Sequence, residues 1–352
     1  GEAVDRPWIT ASPQSAYGNW YSKFDTDLRF KRGVVNPTTK EVVWGGNSDF
    51  VVYALRQGVA SHMGPPTPIA RGWGDEQGGG PVYLHSLSKQ RNGSQQRAGN
   101  LIRYHRSGNN GADWDTSGYT FTSFSSHPDG YWQDVDFGLF NMHVLADSSS
   151  HNVWAFYVDY EVRECGDPPS QHKVAVLYCR QSADDGTTWQ DPVQVIPNSI
   201  YATLPCEPEN YGKLPDHDDE GSEMDDGFFR IARVWACRDT VGRLHVVWMD
   251  NREGKHPDQQ TYLNCDFWRA YRSVSSTGST WSNVVLPVSG VNSLGGYGDP
   301  NSDEPYFAPG DQLGCAADAS YLYITWPDTR NYGTLVPTEA GSIYFRRVVL
   351  AP

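Results

Sequence analysis

Two histidines open the functional reading. His85 and His105 stand in the segments Gly78 to His85 and Asn100 to Arg106, on runs that read as neighbouring strands of one hairpin. Imidazoles are the common base and acid near neutral pH, so two of them on adjacent strands are expected to converge on one substrate atom. Aligned on a recurring loop, His105 takes the place of Arg180 and Arg272 in two other segments. The plain reading of that slot is a polar residue packed between sheets, but a histidine replacing arginine in one copy marks where a site would be built. A phenol and a guanidinium, Tyr160 and Arg163, follow the apolar run that ends at Asp159, with a surface ion pair among Asp159, Glu161 and Arg163 as the plain alternative. Arg103, Arg230 and Arg233 complete the candidates, as cations able to hold an anionic ligand.

Imidazole, phenol and guanidinium groups without an obvious pair of catalytic carboxylates suit β-elimination from a uronic acid. A base removes the proton at C5, and a cation neutralises the carboxylate so that this proton becomes acidic enough to leave. The group on O4 then departs with no water consumed. This chemistry requires no cofactor, and no metal is assigned to it. From Cys206 to Arg230 the chain makes an excursion dense in acidic groups, among them Asp216, Asp218, Asp219 and Glu220. Such oxygens suit a structural Ca²⁺, but they lack the spacing of a calcium loop, and a solvated acidic rim is the plainer reading.

The elements that must hold these residues are strands. Three segments end in one type of loop: Ser107 to Trp114, Ser182 to Trp189 and Val274 to Trp281, the middle one being S-x-D-x-G-x-T-W in full. In that pattern the Asp or Asn folds back on the backbone, the Gly supplies a positive φ and the Trp fills the apolar gap beneath. Each loop follows a strand-like run (Leu101 to Arg106, Val174 to Arg180, Phe267 to Arg272). Upstream lies a second set, Val82 to His85, Val153 to Asp159, Leu244 to Asp250 and Tyr321 to Asp328. The last two share W-x-D-x-R, ending at Arg252 and Arg330. The chain therefore reads as all-β, a single β-propeller domain over 1–352 built of four-stranded antiparallel sheets. Its length fits seven blades, or six with long loops, and the run Ile343 to Val348 is expected to close the ring. The repeated loops, which join the outer two strands of a blade, read as structural staples.

Composition bounds the partners. With 28 Lys and Arg against 42 Asp and Glu the formal charge is −14, which leaves no basic stripe for nucleic acid. No apolar run reaches the length of a membrane span. Six cysteines without a C-x-x-C pair favour disulfides of undetermined pairing over zinc or thioredoxin chemistry, and Asn92-Gly93-Ser94 is a glycosylation acceptor. The opening Gly1-Glu2-Ala3-Val4-Asp5 is not a leader, so a secretion signal is expected to have been removed or never present. These features suit a secreted protein, and the chemistry of the candidate residues suits an anionic polysaccharide.

The complete loop motif, Asp5-Arg6-Pro7-Trp8, the W-x-D-x-R runs and the last strand together resemble the sialidase-type β-propellers across nearly the whole chain. Within that superfamily, the pair His85 and His105 is similar to the histidine pair of the propeller polysaccharide lyases. The nearest likeness is to the fungal L-rhamnose-α-1,4-D-glucuronate lyases, which take terminal rhamnose from gum arabic side chains. The resemblance implies seven blades and no organic cofactor. It casts His105 as proton acceptor, His85 beside it on the substrate, Tyr160 or a neighbouring tyrosine as an aid to proton transfer, and Arg163 or Arg230 on the carboxylate. In glucuronate the C5 proton and the O4 substituent share one side of the ring, so one residue would serve as base and acid. Sialidases proper carry an early F/Y-R-I-P motif. Here Asp5-Arg6-Pro7-Trp8 departs from it and Arg230-Ile231 comes late without the proline, so a sialidase-like exo-glycosidase stands second. A lectin-like propeller stands third, because the candidate residues do not repeat from blade to blade.

Overall fold

The structure is a computed structural model, and it describes residues 4–22, 28–44, 51–53, 67–74, 82–91, 100–115, 119–123, 142–165, 170–205, 229–254, 267–282, 286–287, 293–294, 313–328 and 342–350. Among them are 21 strands and one short helix, α1 (Asn198–Tyr201). No helix among the described residues is long and apolar enough to cross a membrane.

The strands form five antiparallel sheets, each built from consecutive strands. The first contains β1 (Val4–Ala11), β2 (Ser15–Ser22), β3 (Leu28–Val35) and β4 (Val42–Trp44), with β5 (Val51–Tyr53) also on β3. The second contains β6 (Ala70–Gly74), β7 (Val82–Arg91), β8 (Asn100–Ser107) and β9 (Tyr119–Ser123). The third contains β10 (Met142–Ala146), β11 (Val153–Cys165), β12 (Ser170–Ser182) and β13 (Val193–Gln194). The fourth contains β14 (Ile231–Arg238), β15 (Leu244–Asp250), β16 (Phe267–Ser275) and β17 (Leu286–Pro287), with β18 (Ser293–Leu294) on β16. The fifth contains β19 (Gly314–Ala317), β20 (Tyr321–Asp328) and β21 (Ser342–Val349). The apolar runs read from the sequence are the second strands of four of these sheets, and the runs before the repeated loops are third strands. The run expected to close a ring is β21, and it pairs with β20.

Two compact units divide the chain. One comprises 1–133, 142–155 and 180–192, the other 134–141, 156–179 and 193–352. The division falls within β11 and β12. In the first unit Tyr17, Phe30, Ile69, Val82, Leu84 and Trp114 form a buried cluster. In the second, Val247, Met249, Leu322, Ile324 and Trp326 do the same. β15 is buried along its whole length, its apolar residues together with His245 and Asp250.

Three hairpins between first and second strands share one device. Asp147, Asp239 and Asp318 each fold a carboxylate onto backbone N–H groups two to four residues ahead. Three first strands share another. Pairing slips by one residue between Asp5 and Trp8, between Arg71 and Gly74, and between Ala232 and Trp235, which places a β-bulge in three sheets.

The repeated loops join third to fourth strands, and they are staples. In the middle copy the Ser182 hydroxyl accepts from Gly186 N at 2.8 Å, and Asp184 accepts from Ser182, Thr188 N and the Thr188 hydroxyl at 2.7 to 2.8 Å. Burial alone would push the Asp184 carboxyl up, but these donors outweigh it and hold the group below its usual range. The first copy repeats the geometry with Ser107, Asn109 and Gly111. The tryptophans reach sideways. Trp114 meets the edge of Phe30 on β3 at 5.2 Å, and Trp189 meets Tyr104 on β8 at 4.8 Å and Phe121 on β9 at 4.7 Å. Trp281 meets Phe156 on β11 at 5.7 Å. Each loop thus docks on an aromatic side chain of the sheet before it. Gly186 has φ +78°, and a Cβ there would overlap the Tyr104 hydroxyl. Gly186→Ala should therefore destabilise the protein by about 2 kcal/mol or more, since strained φ and overlap act together. An unfolding midpoint in denaturant unchanged from the parent would contradict this.

Candidate active site

In the first unit the two histidines come from adjacent strands, as expected, but they do not converge. The register pairs His85 with Arg106 and Ser86 with His105, so consecutive positions alternate and the two imidazoles leave opposite faces of the sheet. Both are buried, at 0% and 1% exposure. His85 Nδ1 lies 2.6 Å from the Tyr104 hydroxyl, which in turn donates to the Asp185 carbonyl at 3.2 Å. Its Nε2 is packed against Gly72, where a Cβ would overlap it. Burial, helped by the Arg106 charge, pushes the His85 imidazole down to about 3. His105 Nε2 is 2.7 Å from the Ser88 hydroxyl on its own face, which it shares with half-buried Arg103.

The repeat alignment also needs correction. In the third loop the hydroxyl that takes the glycine N–H is Ser275, at 2.7 Å from Gly278 N, so this copy is one residue shorter. The counterpart of His105 is therefore the buried Ser273, and Arg272 sits one place off it.

The second unit carries the stronger concentration of charge. W-x-D-x-R folds into a closed motif at the end of β15. Asp250, 0% exposed, accepts from Trp248 Nε1 at 2.8 Å, Arg252 Nε at 2.8 Å, Arg252 Nη2 at 2.5 Å and Arg252 N at 3.2 Å. Four donors occupy both oxygens. Burial would lower the Arg252 pKa, but Asp250 more than offsets it and the value rises. The guanidinium carbon lies over the Tyr271 ring, 3.7 Å from its centroid. Tyr271 donates to Glu253 at 2.9 Å, and Arg269 pairs with the same carboxylate oxygen at 2.8 Å. Burial foremost, then Asp250, pushes the Tyr271 phenol up, so it stays a proton donor.

Arg230 and Arg233 reach the same end of the sheet from the first strand. Ile231 pairs with Asp250 and Asp250 with Arg269, so Arg230, Asp250 and Arg269 fall on three adjacent strand ends. The Asn251 side chain accepts from Arg230 N at 2.6 Å. Arg233 occupies the bulge of β14 with φ +55°, a left-handed conformation that re-aims its side chain, and both arginines are buried. Phe229, just before them, meets Tyr201 edge-on at 5.8 Å. Arg163 stacks over Tyr201 at 4.2 Å while donating to Glu161, Gln194 and Asn198 at 2.9 to 3.2 Å. The Tyr201 phenol is raised by burial, and the Arg163, Asp250 and Arg252 charges also act on it. Tyr160 lies on β11, but its side chain is outside the described residues, as is the acidic excursion from 206 to 228. Among the described residues no group of three His, Cys, Asp or Glu is placed to hold a metal.

Sequence reasoning assigned W-x-D-x-R to the fold and missed that it builds this cluster. The signal was present: an Asp flanked at two residues by Trp and by Arg is a self-contained donor and acceptor set.

No family model matches the sequence, and no curated protein does. Among solved structures the chain is similar to an α-L-arabinofuranosidase of Fusarium graminearum in complex with an iminosugar inhibitor, at TM-score 0.51 and 10% identity over 98% of this chain and 93% of that one. It is also similar to the GH93 α-L-arabinofuranosidase of that organism with arabinobiose, at TM-score 0.50 and 11% identity over 98% and 93%. An endo-arabinase from Bacteroides thetaiotaomicron follows at TM-score 0.45 and 12% identity over 100% and 95%. At these identities the first two likenesses are of fold.

Two outcomes follow. The unfolded His85 imidazole titrates near 6.5 and the folded one at about 3. Between those values only the unfolded chain takes the proton, so stability falls as pH drops through that window, by up to about 1.4 kcal/mol per pH unit. His85→Asn, which keeps a donor toward Tyr104, should flatten this limb in denaturant titrations, and an unchanged slope would assign it elsewhere. Asp250→Ala should cost about 3 kcal/mol or more by leaving Arg252 buried and unpaired, whereas Glu253→Gln should cost about 1 kcal/mol or less.

Proposed function

We propose that the chain is a carbohydrate-active enzyme that cleaves an anionic plant polysaccharide as a lyase. In the finer form of the proposal it acts at the rhamnose-glucuronate linkage of a glycan such as gum arabic, releasing L-rhamnose and leaving an unsaturated uronate. The observation that carries it is the concentration of arginines where three strands of the fourth sheet end, Arg230 and Arg233 buried at the start of β14 and Arg252 and Arg269 paired with Asp250 and Glu253. The deepest carboxylate there, Asp250, already has both oxygens filled by donors and serves to position Arg252 rather than to act as an acid. Cations held this way favour a substrate carboxylate, and neutralising it is what makes the C5 proton removable.

In this reading Arg230 and Arg163 hold the uronate, and Tyr160 carries the proton from C5 to O4. His85 has no part, being sealed against Gly72 and Tyr104. His105, the proton acceptor of the sequence reading, belongs to the first unit and is buried against Ser88, so the proton is assigned to Tyr160 instead, and loss of turnover in a folded His105→Gln would reverse that assignment. On the fold, each meander is taken as one blade of a propeller, seven or six in the sequence reading, with five such sheets traced among the described residues. Secretion and a monomeric state belong to the same proposal, and no cofactor is invoked.

A second reading is hydrolysis by an exo-glycosidase. Fold likeness to the arabinofuranosidases supports it, and so does Glu253, whose 39% exposed side chain receives the Tyr271 hydroxyl. Incubation with a rhamnose-capped glucuronate glycan separates the readings. Rhamnose release with the ultraviolet absorbance of a conjugated double bond supports the lyase. Arabinose or rhamnose release without that absorbance, abolished by Glu253→Gln, supports the hydrolase. No release from any plant glycan, with binding retained, moves the protein to the lectin class. If the lyase reading holds, Arg230→Gln should lower kcat/KM by about a hundredfold while Glu253→Gln stays within about threefold of the parent.

A further inference from the structure

The sequence suggested disulfides without a pairing, and the second unit brings two cysteines together. Cys237 lies near the end of β14, opposite His245 of β15, and Cys315 lies on β19, opposite Ile324 of β20. Their sulfurs are 2.9 Å apart although the residues are 78 positions apart in the chain. Cys237 is buried in the apolar cluster of Val247, Met249, Leu322, Ile324 and Trp326, and Cys315, partly buried, packs against it. His245 faces Cys237 across the strands but is bonded to Asp239, and no group of three His, Cys, Asp or Glu among the described residues is placed to hold a metal, so the pair is not read as a metal site.

We propose that Cys237 and Cys315 are oxidised to a disulfide that joins the first strands of the fourth and fifth sheets. Two S–H bonds break and one S–S bond forms. The two electrons and the two protons pass to a disulfide-bearing oxidant such as oxidised glutathione, which leaves as two thiols. Burial pushes the Cys315 thiol up in the folded protein, so the reactive thiolate is scarce once the strands have docked. Oxidation therefore belongs to folding, before the cluster closes. Once formed, the bond is shielded from reductants by the same apolar residues. The bond confines the unfolded chain by a loop of 78 residues. It should lower the unfolding equilibrium constant by about a thousandfold relative to the dithiol.

The test is a cysteine map of the full chain, purified without reductant after refolding with oxidised glutathione, denatured, alkylated and digested. The expected product is one cross-linked peptide pair, Cys237 with Cys315, two hydrogens lighter than the two thiol peptides together. Alkylation of both residues in that sample overturns the proposal, and so does a bond from either one to Cys165, Cys179, Cys206 or Cys265. As a readout independent of mass, reductant should lower the urea midpoint of the parent. In Cys237→Ala and in Cys315→Ala that reductant-dependent step should vanish. A step that survives in both variants also overturns it. None of these results depends on which glycan the protein cleaves.

Discussion

A four-stranded meander has two apolar faces and no means of burying both, so every sheet of this chain depends on a contact with another. The contact that recurs is small and specific. A loop between the third and fourth strands presents a glycine and a tryptophan to an aromatic side chain of the preceding sheet. Trp114 on Phe30, Trp189 on Tyr104 and Phe121, and Trp281 on Phe156 are three instances. The polar half of the loop, a serine hydroxyl and an Asp or Asn side chain gathered on backbone N–H groups, fixes the turn so that the apolar half arrives at the right height. Local hydrogen bonding and long-range packing are thus one device, and the strand ends are held by it.

The charged cluster at the end of the fourth sheet follows the same economy. Asp250 spends its acceptors on its own neighbours in the chain, Trp248 and Arg252, and the reward is a guanidinium that cannot wander. Arg252 then covers Tyr271, and Tyr271 and Arg269 orient Glu253. The order in this cluster comes from the end of β15 and the turn that follows it, Arg252 and Glu253, held against Arg269 and Tyr271 of β16.

Much of this was legible beforehand. The repeated loop predicted the third and fourth strands, and the apolar runs predicted the second strands, because a turn motif and a buried strand each have local chemistry. The pairing of faces was not legible. His85 and His105 fall on the expected neighbouring strands, yet a register that sets His85 against Arg106 sends them to opposite faces, and register is a property of the hairpin as a whole. The third loop misled by its length: counting back from its tryptophan lands on Val274, whereas the hydroxyl that does the work is Ser275. Arg233 was named without its reason, since a left-handed residue in a bulge leaves no mark on composition.

That bulge recurs in the first strands of three sheets. Each one stores a surplus residue inside a strand, and surplus can be moved. If the segment leading into such a strand gains or loses a residue, the slip can be taken up at the bulge while the side chains nearer the hairpin keep their inward or outward sense. A change of length before the strand is thereby kept from reversing the inward and outward pattern on which the fold depends.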